Sequence, residues 1–252
     1  MILGRDDAMV APSTGAFAAG DRIAMLITYL RNIPLFKHLK DAQLKELAAR
    51  CKSTRYKKGS VVFRKTDMST DLYVVNTGRL KAILEDDEGD EMVLAHFEKG
   101  AFFGELSLLD GKGRSATIVA DEDSELFVLN KDVFFDAVTK DPKIAVELMI
   151  TLVERLRKAD EMIESLAFFE VGERLLRQLL EGATPGGAGD QGFLRTAKLT
   201  HRELAARIGS SREAVSKCLK VLAAKQIVKE GSEGFLIARD ALDRLKAGSK
   251  VS

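Results

Sequence analysis

The chain has 252 residues, of which 46% are hydrophobic and 31% charged, a composition of soluble globular proteins with room for two domains of ordinary size. The net charge of +1 conceals a division: residues 191–252 carry 13 Lys and Arg against 6 Asp and Glu, a net of +7, and the remainder is net −6. No apolar run approaches a membrane span, two cysteines make neither a disulfide framework nor a four-thiolate cluster, and three isolated histidines fit no metal spacing. A membrane partner, a structural metal, haem and an iron–sulfur centre are therefore not expected.

The first segment, MILGRDDAMVAPSTGAFAAG, places acids where a signal peptide needs an apolar core, so residues 1–20 read as a flexible arm and the expected compartment is the cytoplasm. Between Pro34 and Cys51, Leu39, Leu44, Leu47 and Ala48 follow helical spacing. Beyond them the period changes. Short β-prone runs at residues 60–63, 72–75, 80–84, 92–95, 116–120 and 126–129 alternate with turn signals such as Asn76-Thr77-Gly78 and Asp86-Asp87-Glu88-Gly89-Asp90, a pattern of small barrels and sandwiches. Within them, FFGELSLLDGKGRSAT (residues 102–117) sets a carboxylate, Glu105, and a guanidinium, Arg114, nine residues apart in an apolar stretch punctuated by glycine.

From Asp132 the period is helical. Ala145, Met149, Leu152, Leu156, Ala159, Ile163 and Leu166 alternate steps of four and three, the seam of a paired helix. The glycine-rich stretch at residues 181–192 ends a following helix at residues 171–180 and leads to the basic module. There Thr200 and Glu203 have the spacing of a capping box, the helix they open stops at Gly209, and Ser210 or Ser211 caps a second helix from Arg212 to about Lys225. Helix, glycine turn and helix spell a helix-turn-helix, and Ile227–Lys229 and Phe235–Ile237 flank a turn as a wing. Arg212, Glu213, Ser216, Lys217 and Lys220 project from the second helix, with Thr200 and Ser211 at the two helix starts; arginine offers a fork to guanine and glutamate accepts from cytosine.

These segments, in this order, resemble the cyclic-AMP receptor protein (CRP/FNR) family of bacterial transcription regulators. The resemblance covers roughly residues 33–237 and is strongest at FGELSLLDGKGRSAT, EDDEGDEMVLAHFEKGAFFGE and LTHRELAARIGSSREAVSKCLKVL. It implies an α+β architecture: an N-terminal cyclic-nucleotide-binding β-roll over residues 21–140, a dimerisation helix and hinge over 141–170, and a C-terminal winged helix-turn-helix over 171–252. It also implies that residues 102–117 form a phosphate-binding cassette. In that reading Glu105 accepts from a ribose hydroxyl, Arg114 binds the cyclic phosphate, and Ser115, Gly104 and Leu106 complete the cradle. Ala82, Leu94, Ala159 and Asp160 are then expected around the rest of the ligand, and Met149, Leu152, Leu156, Ala159, Ile163 and Leu166 in a homodimer interface.

The implied function is a non-enzymatic, dimeric regulator that binds a two-fold symmetric double-stranded DNA operator and contacts RNA polymerase when a cyclic nucleotide is bound. A ligand-independent factor, with Glu105 paired to Arg114 in an empty cassette, is the alternative. Departures from the family pattern bear on the ligand. Where cyclic-AMP receptors offer a Thr-Ser pair to adenine, this chain has Ala159-Asp160, and a carboxylate suits the two adjacent donors of guanine. The expected effector is therefore cAMP, with cGMP and cyclic di-GMP behind it. Thr66 stands at a turn where many relatives carry Gly, and Lys217 and Ala214 replace an Arg and a Thr in the second helix.

Overall fold

The computed structural model describes residues 19–185 and 192–249, so the arm expected over residues 1–20 lies outside the described residues except for Ala19 and Gly20, which open a helix. Two compact units divide the chain: Met1–Ala82 with His96–Thr151, and Ile83–Ala95 with Leu152–Ser252.

The first unit begins with α1 (Ala19–Arg31), a 3-10 turn at Pro34–Phe36 and α2 (Asp41–Arg50). Strands follow: β1 (Lys52–Tyr56), β2 (Val61–Phe63), β3 (Leu72–Thr77), β4 (Leu80–Glu85), β5 (Glu91–Phe97) and β6 (Phe102–Phe103). The short α3 (Glu105–Asp110) precedes β7 (Thr117–Ala120), β8 (Ser124–Leu129) and α4 (Lys131–Lys140). The strands form two four-stranded sheets, ordered β1-β8-β3-β6 and β2-β7-β4-β5. This is the expected nucleotide-binding sandwich. Every pairing in the first sheet is antiparallel, with Tyr73 opposite both Val128 and Phe103.

The sandwich closes on rings. Phe103 lies 5.3 Å from Tyr73, stacked, 5.8 Å from Phe63 and 5.0 Å from Phe97, so the short β6 brings aromatic side chains from both sheets into one cluster. Aromatic pairs at these separations add about 0.5–1.5 kcal/mol each beyond area burial. Leu72, Val74, Val75, Leu80, Leu108, Leu126 and Leu129 fill the remaining interior and are fully buried. Helix α1 docks on this body through Tyr29, which packs on Phe127, donates to the carbonyl of Val75 and accepts from the Gly100 amide. Neither α1 nor β1 was expected: β1 reads Lys-Ser-Thr-Arg-Tyr, a polar sequence drawn into a strand by the β8 edge it completes.

Helix α5 (Lys143–Phe168) runs 26 residues. Its buried positions are Ile144 and Leu148, whereas Met149, Leu156, Ile163 and Leu166 of the expected seam are 41–63% exposed. It keeps its helical hydrogen bonding through Phe168.

The second unit's core lies in the C-terminal module, made of α6 (Val171–Leu180), β9 (Thr184–Pro185), β10 (Phe193–Arg195), α7 (His201–Ile208), α8 (Arg212–Ala224), β11 (Val228–Gly231), β12 (Gly234–Ala238) and α9 (Ala241–Ser249). Leu175, Leu176 and Leu179 of α6, Leu204 and Ile208 of α7, Val215, Leu219 and Leu222 of α8, and Phe235 and Ile237 of β12 make one cluster. Burying each such side chain stabilises by about 1.5–3 kcal/mol. Strands β11 and β12 pair in register from Val228 opposite Ile237 to Gly231 opposite Gly234, which is the wing.

Thr66 has φ 75°, a left-handed conformation that a β-branched residue adopts only when its surroundings impose it. Such strain costs about 1–3 kcal/mol, and the flexibility of glycine in the unfolded chain returns roughly 0.5–1 kcal/mol of any relief. Thr66→Gly is therefore expected to stabilise the sandwich by about 1 kcal/mol, read as a higher urea midpoint at unchanged slope. A lower midpoint would show that Thr66 makes contacts worth more than its strain.

Candidate functional site

Residues 102–117 fold as strand, turn, single helical stretch, turn and strand. After β6, Gly104 adopts φ 88°, which turns the chain into α3. The helix ends at Gly111, φ 72°, whose amide donates to the Ser107 carbonyl, and Asp110 accepts from the Lys112 amide. The chain then passes Thr66 so closely that a Cβ on Gly113 would lie 2.9 Å from the Thr66 carbonyl oxygen. Arg114 follows at the entrance to β7.

Arg114 is only 2% exposed, and Glu105 3%. The guanidinium donates through Nε to Ser69 Oγ at 2.9 Å, through Nη1 to the Gly104 carbonyl at 2.9 Å and through Nη2 to the Asp71 carbonyl at 2.9 Å. Its plane lies 4.2 Å from the ring centre of Phe63 and 5.6 Å from that of Tyr73. Its backbone is held as well: Thr66 donates to the Arg114 carbonyl, and the Arg114 amide donates to that of Asp67. The loop between β2 and β3 thus grips Arg114 by main chain and side chain at once.

Every one of those side-chain acceptors is a neutral oxygen. Burial pushes Arg114 below its ordinary range, opposed by the nearby Tyr73, Asp71 and Glu105. The same burial, with Tyr56 adjacent, pushes the Tyr73 hydroxyl up to about 12. A buried cation whose hydrogen bonds to Ser69, Gly104 and Asp71 all go to neutral oxygens is a group that an anion can pair with.

The structure brings Gly104, Glu105 and Arg114 together. Ser115, the next residue, is exposed, and Leu106 is 46% exposed on the outer side of α3. Ala82 is 6% exposed inside the sandwich on β4. Leu94 on β5, 37% exposed, and the exposed Ala159 and Asp160 on α5 fall in the second unit. Sequence reasoning missed Ser69, Asp71, Phe63 and Tyr73, the groups that set the direction of Arg114. They stand more than 40 positions away in the chain, and no spacing rule connects them to it.

In the C-terminal module the expected caps are formed. Thr200 Oγ1 accepts from the Glu203 amide, and the Glu203 carboxylate accepts from the Thr200 amide at 2.7 Å. Gly209, φ 60°, ends α7, and Ser211 caps α8 by accepting from the Ala214 amide. Thr200 and Ser211 are therefore structural caps first. Arg212, Glu213, Lys217 and Lys220 are exposed on α8. Ser216 is not free as expected: its hydroxyl donates to the Arg212 carbonyl and meets His201 Nδ1 at 2.8 Å.

A sandwich with a buried guanidinium joined in one chain to a winged helix that displays cations at a capped helix start fits one class of protein, the ligand-sensing DNA-binding regulator. Residues 53–141 match the cyclic nucleotide-binding domain and residues 173–246 the Crp-like helix-turn-helix domain. The chain is 33% identical to the cyclic AMP receptor protein of Thermus thermophilus, over 84% of this chain and 95% of that one. It is 30% identical to the cAMP-activated global transcriptional regulator Vfr of Pseudomonas aeruginosa, over 79% of this chain and 92% of that one. Among solved structures, the c-di-GMP-responsive global regulator CLP of Xanthomonas campestris superposes with a TM-score of 0.68 at 25% identity, covering 79% of this chain and 99% of that one. The chain belongs to the CRP family of cyclic-nucleotide-binding transcription regulators. Among the described residues no group of three or more His, Cys, Asp or Glu could hold a metal ion, and no helix is long and apolar enough to cross a membrane.

A Cβ at Gly104 would lie 2.6 Å from Arg114 Nη1 and 2.7 Å from the Asp71 carbonyl oxygen. Gly104→Ala is therefore expected to lower stability by about 1–3 kcal/mol for its positive φ alone and to push the guanidinium off its acceptors. Thermal unfolding measures the first effect; an unchanged melting temperature would mean that the turn relaxes freely.

Proposed function

We propose that the protein is a homodimeric transcription regulator that binds a two-fold symmetric operator when a cyclic nucleotide, cAMP first, occupies the sandwich. The observation that carries this reading is Arg114, a buried guanidinium that donates to Ser69 Oγ and to the Gly104 and Asp71 carbonyls and lies over the Phe63 ring. In this reading the cyclic phosphate lies against Arg114 with Ser115 and the Gly104 turn beside it, and Glu105 accepts from the ribose hydroxyl. Ala82, Leu94, Ala159 and Asp160 approach the remainder of the ligand. The names of the relatives, a cyclic AMP receptor protein and a cAMP-activated regulator, support cAMP. The c-di-GMP-responsive neighbour and Asp160, a carboxylate where cyclic-AMP receptors carry hydroxyls, keep guanine nucleotides as the second reading.

Pairing of two copies along α5 is supported by its exposed apolar stripe. Met149, Leu156, Ile163 and Leu166 continue one seam with Leu152 and Ala159, and isolated apolar patches of that extent mark interaction surfaces. In such a dimer each α8 enters a major groove, the two about one helical turn apart. Arg212 and Glu213 then read base edges, Lys217 and Lys220 extend the contact, and Thr200 and Ser211 face the phosphates. A ligand shifts this equilibrium only by binding the DNA-competent arrangement better. The module carries no catalytic task in this reading, acts in the cytoplasm and recruits RNA polymerase.

Calorimetric titration of the purified protein with cAMP, cGMP and cyclic di-GMP tests the ligand. Arg114→Lys is expected to weaken the bound nucleotide at least tenfold, since a lysine cannot reproduce the guanidinium's fixed fork. Unchanged affinity in that variant would remove the phosphate from this cassette.

Arg212→Ala is expected to cost about 1–3 kcal/mol on the selected operator and to relax preference at one base pair, while non-specific affinity falls much less. Equal losses on both DNAs, measured by anisotropy at one salt concentration, would make Arg212 a phosphate contact.

A further inference from the structure

Three acceptors hold the Arg114 guanidinium, and they are not equivalent. The Gly104 and Asp71 carbonyls are main chain, placed by the turn after β6 and by the entry to β3. The third, 2.9 Å from Nε, is the hydroxyl of Ser69, a half-buried residue of the loop between β2 and β3. Nε has a hydrogen to donate and no acceptor capacity, so Ser69 Oγ accepts in this contact. Ser69 therefore supplies the side-chain acceptor of the set, the one that a substitution removes without disturbing a carbonyl.

The aromatic rings have a different task. Phe63 and Tyr73 lie 4.2 and 5.6 Å from the guanidinium carbon, and their faces fix the plane of the group. A ring face is nearly indifferent to how the guanidinium turns or slides within that plane. Hydrogen bonds decide that. Ser69 and Asp71, two positions apart, take Nε and Nη2, which share one edge of the guanidinium. Two contacts on an edge set its direction. With the hydroxyl gone a single carbonyl would hold that edge, and one contact lets the edge slip from one donor to the next.

We propose that Ser69 is a positioning residue for anion binding: its hydroxyl pins the Nε–Nη2 edge of Arg114 to the loop, which leaves the Nη1–Nη2 end to the ligand. The inference rests on the reading of Arg114 as the partner of the phosphate. The loop can hold a side chain in this way because it is itself held by the backbone of the same residue. The Thr66 amide donates to the Arg114 carbonyl, and the Arg114 amide donates to the Asp67 carbonyl. The Asp67 carboxylate accepts from the Arg64 amide at 2.8 Å, and Thr117 Oγ1 on β7 accepts from the Lys65 amide at 3.0 Å. Ser69 comes two residues after Asp67. The main chain of Arg114 thus places the hydroxyl, and the hydroxyl orients the side chain of Arg114.

Two measurements on the full-length protein test the proposal, each on wild type, Ser69→Ala and Ser69→Thr. The first needs no ligand. Nitrogen-15 spectra of the arginine side chains, with the Arg114 Nε signal identified by its loss in Arg114→Lys, are expected to show an Nε–H that exchanges slowly with water in the wild type. In Ser69→Ala exchange is expected to become fast enough to lose the signal, and Ser69→Thr, which keeps a hydroxyl, should restore it. Slow exchange retained in Ser69→Ala would mean that burial alone protects Nε, and the proposal is overturned. The second measurement is calorimetric titration with cAMP, cGMP and cyclic di-GMP. Ser69→Ala is expected to weaken the nucleotide that the wild type binds by about three- to tenfold, the range of a single hydrogen bond, and Ser69→Thr to recover it. Unchanged affinity in Ser69→Ala, with or without a fall in melting temperature, would make Ser69 a support for the loop and refute its action on the anion. Equal weakening in the Ala and Thr variants would refute the role of the hydroxyl. If the wild type binds none of the three nucleotides, the phosphate reading of Arg114 fails, and the exchange of Nε–H alone decides whether Ser69 fixes the guanidinium.

Discussion

The burial of the Arg114 guanidinium is the constraint around which the sandwich is arranged. A cation that is almost wholly removed from water needs its donors satisfied, and two separate segments supply the acceptors: Ser69 and Asp71 from the loop after β2, and the Gly104 turn. Two rings from opposite sheets, Phe63 and Tyr73, provide the faces against which the guanidinium plane lies. The left-handed Thr66 belongs to the same arrangement. Its amide ties the loop to the Arg114 backbone. Side-chain recognition and loop conformation are one structure in this cassette.

Neutral partners give that arrangement its chemical meaning. Carbonyl and hydroxyl oxygens satisfy the geometry of the donors, and the nearby Tyr73, Asp71, Glu105 and Asp67 favour the charged form that burial disfavours. Residues 53–141, which contain this arrangement, match the cyclic nucleotide-binding domain.

The winged helix is assembled by different means. Its core is a single apolar cluster from α6, α7, α8 and the wing, and its two functional helices are started by side-chain caps, Thr200 with Glu203 and Ser211. Two side chains in sequence positions typical of DNA contacts, Thr200 and Ser216, are thereby committed to internal hydrogen bonds. Arg212, Glu213, Lys217 and Lys220 remain exposed on α8, and His201 stands between Ser216 of that helix and Glu230 of the wing.

Much of this was legible before any fold was known. Local chemistry is written locally: the capping box at Thr200 and Glu203, the glycine at 209, the seven-residue seam on α5 and the alternation of short β-runs with turns all depend on neighbours within a few positions. Those signals located the helix-turn-helix, the wing and six of the sandwich strands, and the resemblance of residues 102–117 to a phosphate cassette singled out Glu105 and Arg114. Strand β1 escaped because its polar residues become a strand only beside β8, and α1 because nothing in its own sequence announces that Tyr29 will dock on Phe127. By itself, then, the sequence determined the helix-turn-helix, its caps, the wing and six of the sandwich strands, because their signals lie within a few positions of one another. The partners of those residues were decided by the tertiary structure. Ser69 meets Arg114 across 45 positions and His201 meets Ser216 across 15, and such contacts exist only once the loops between them have closed.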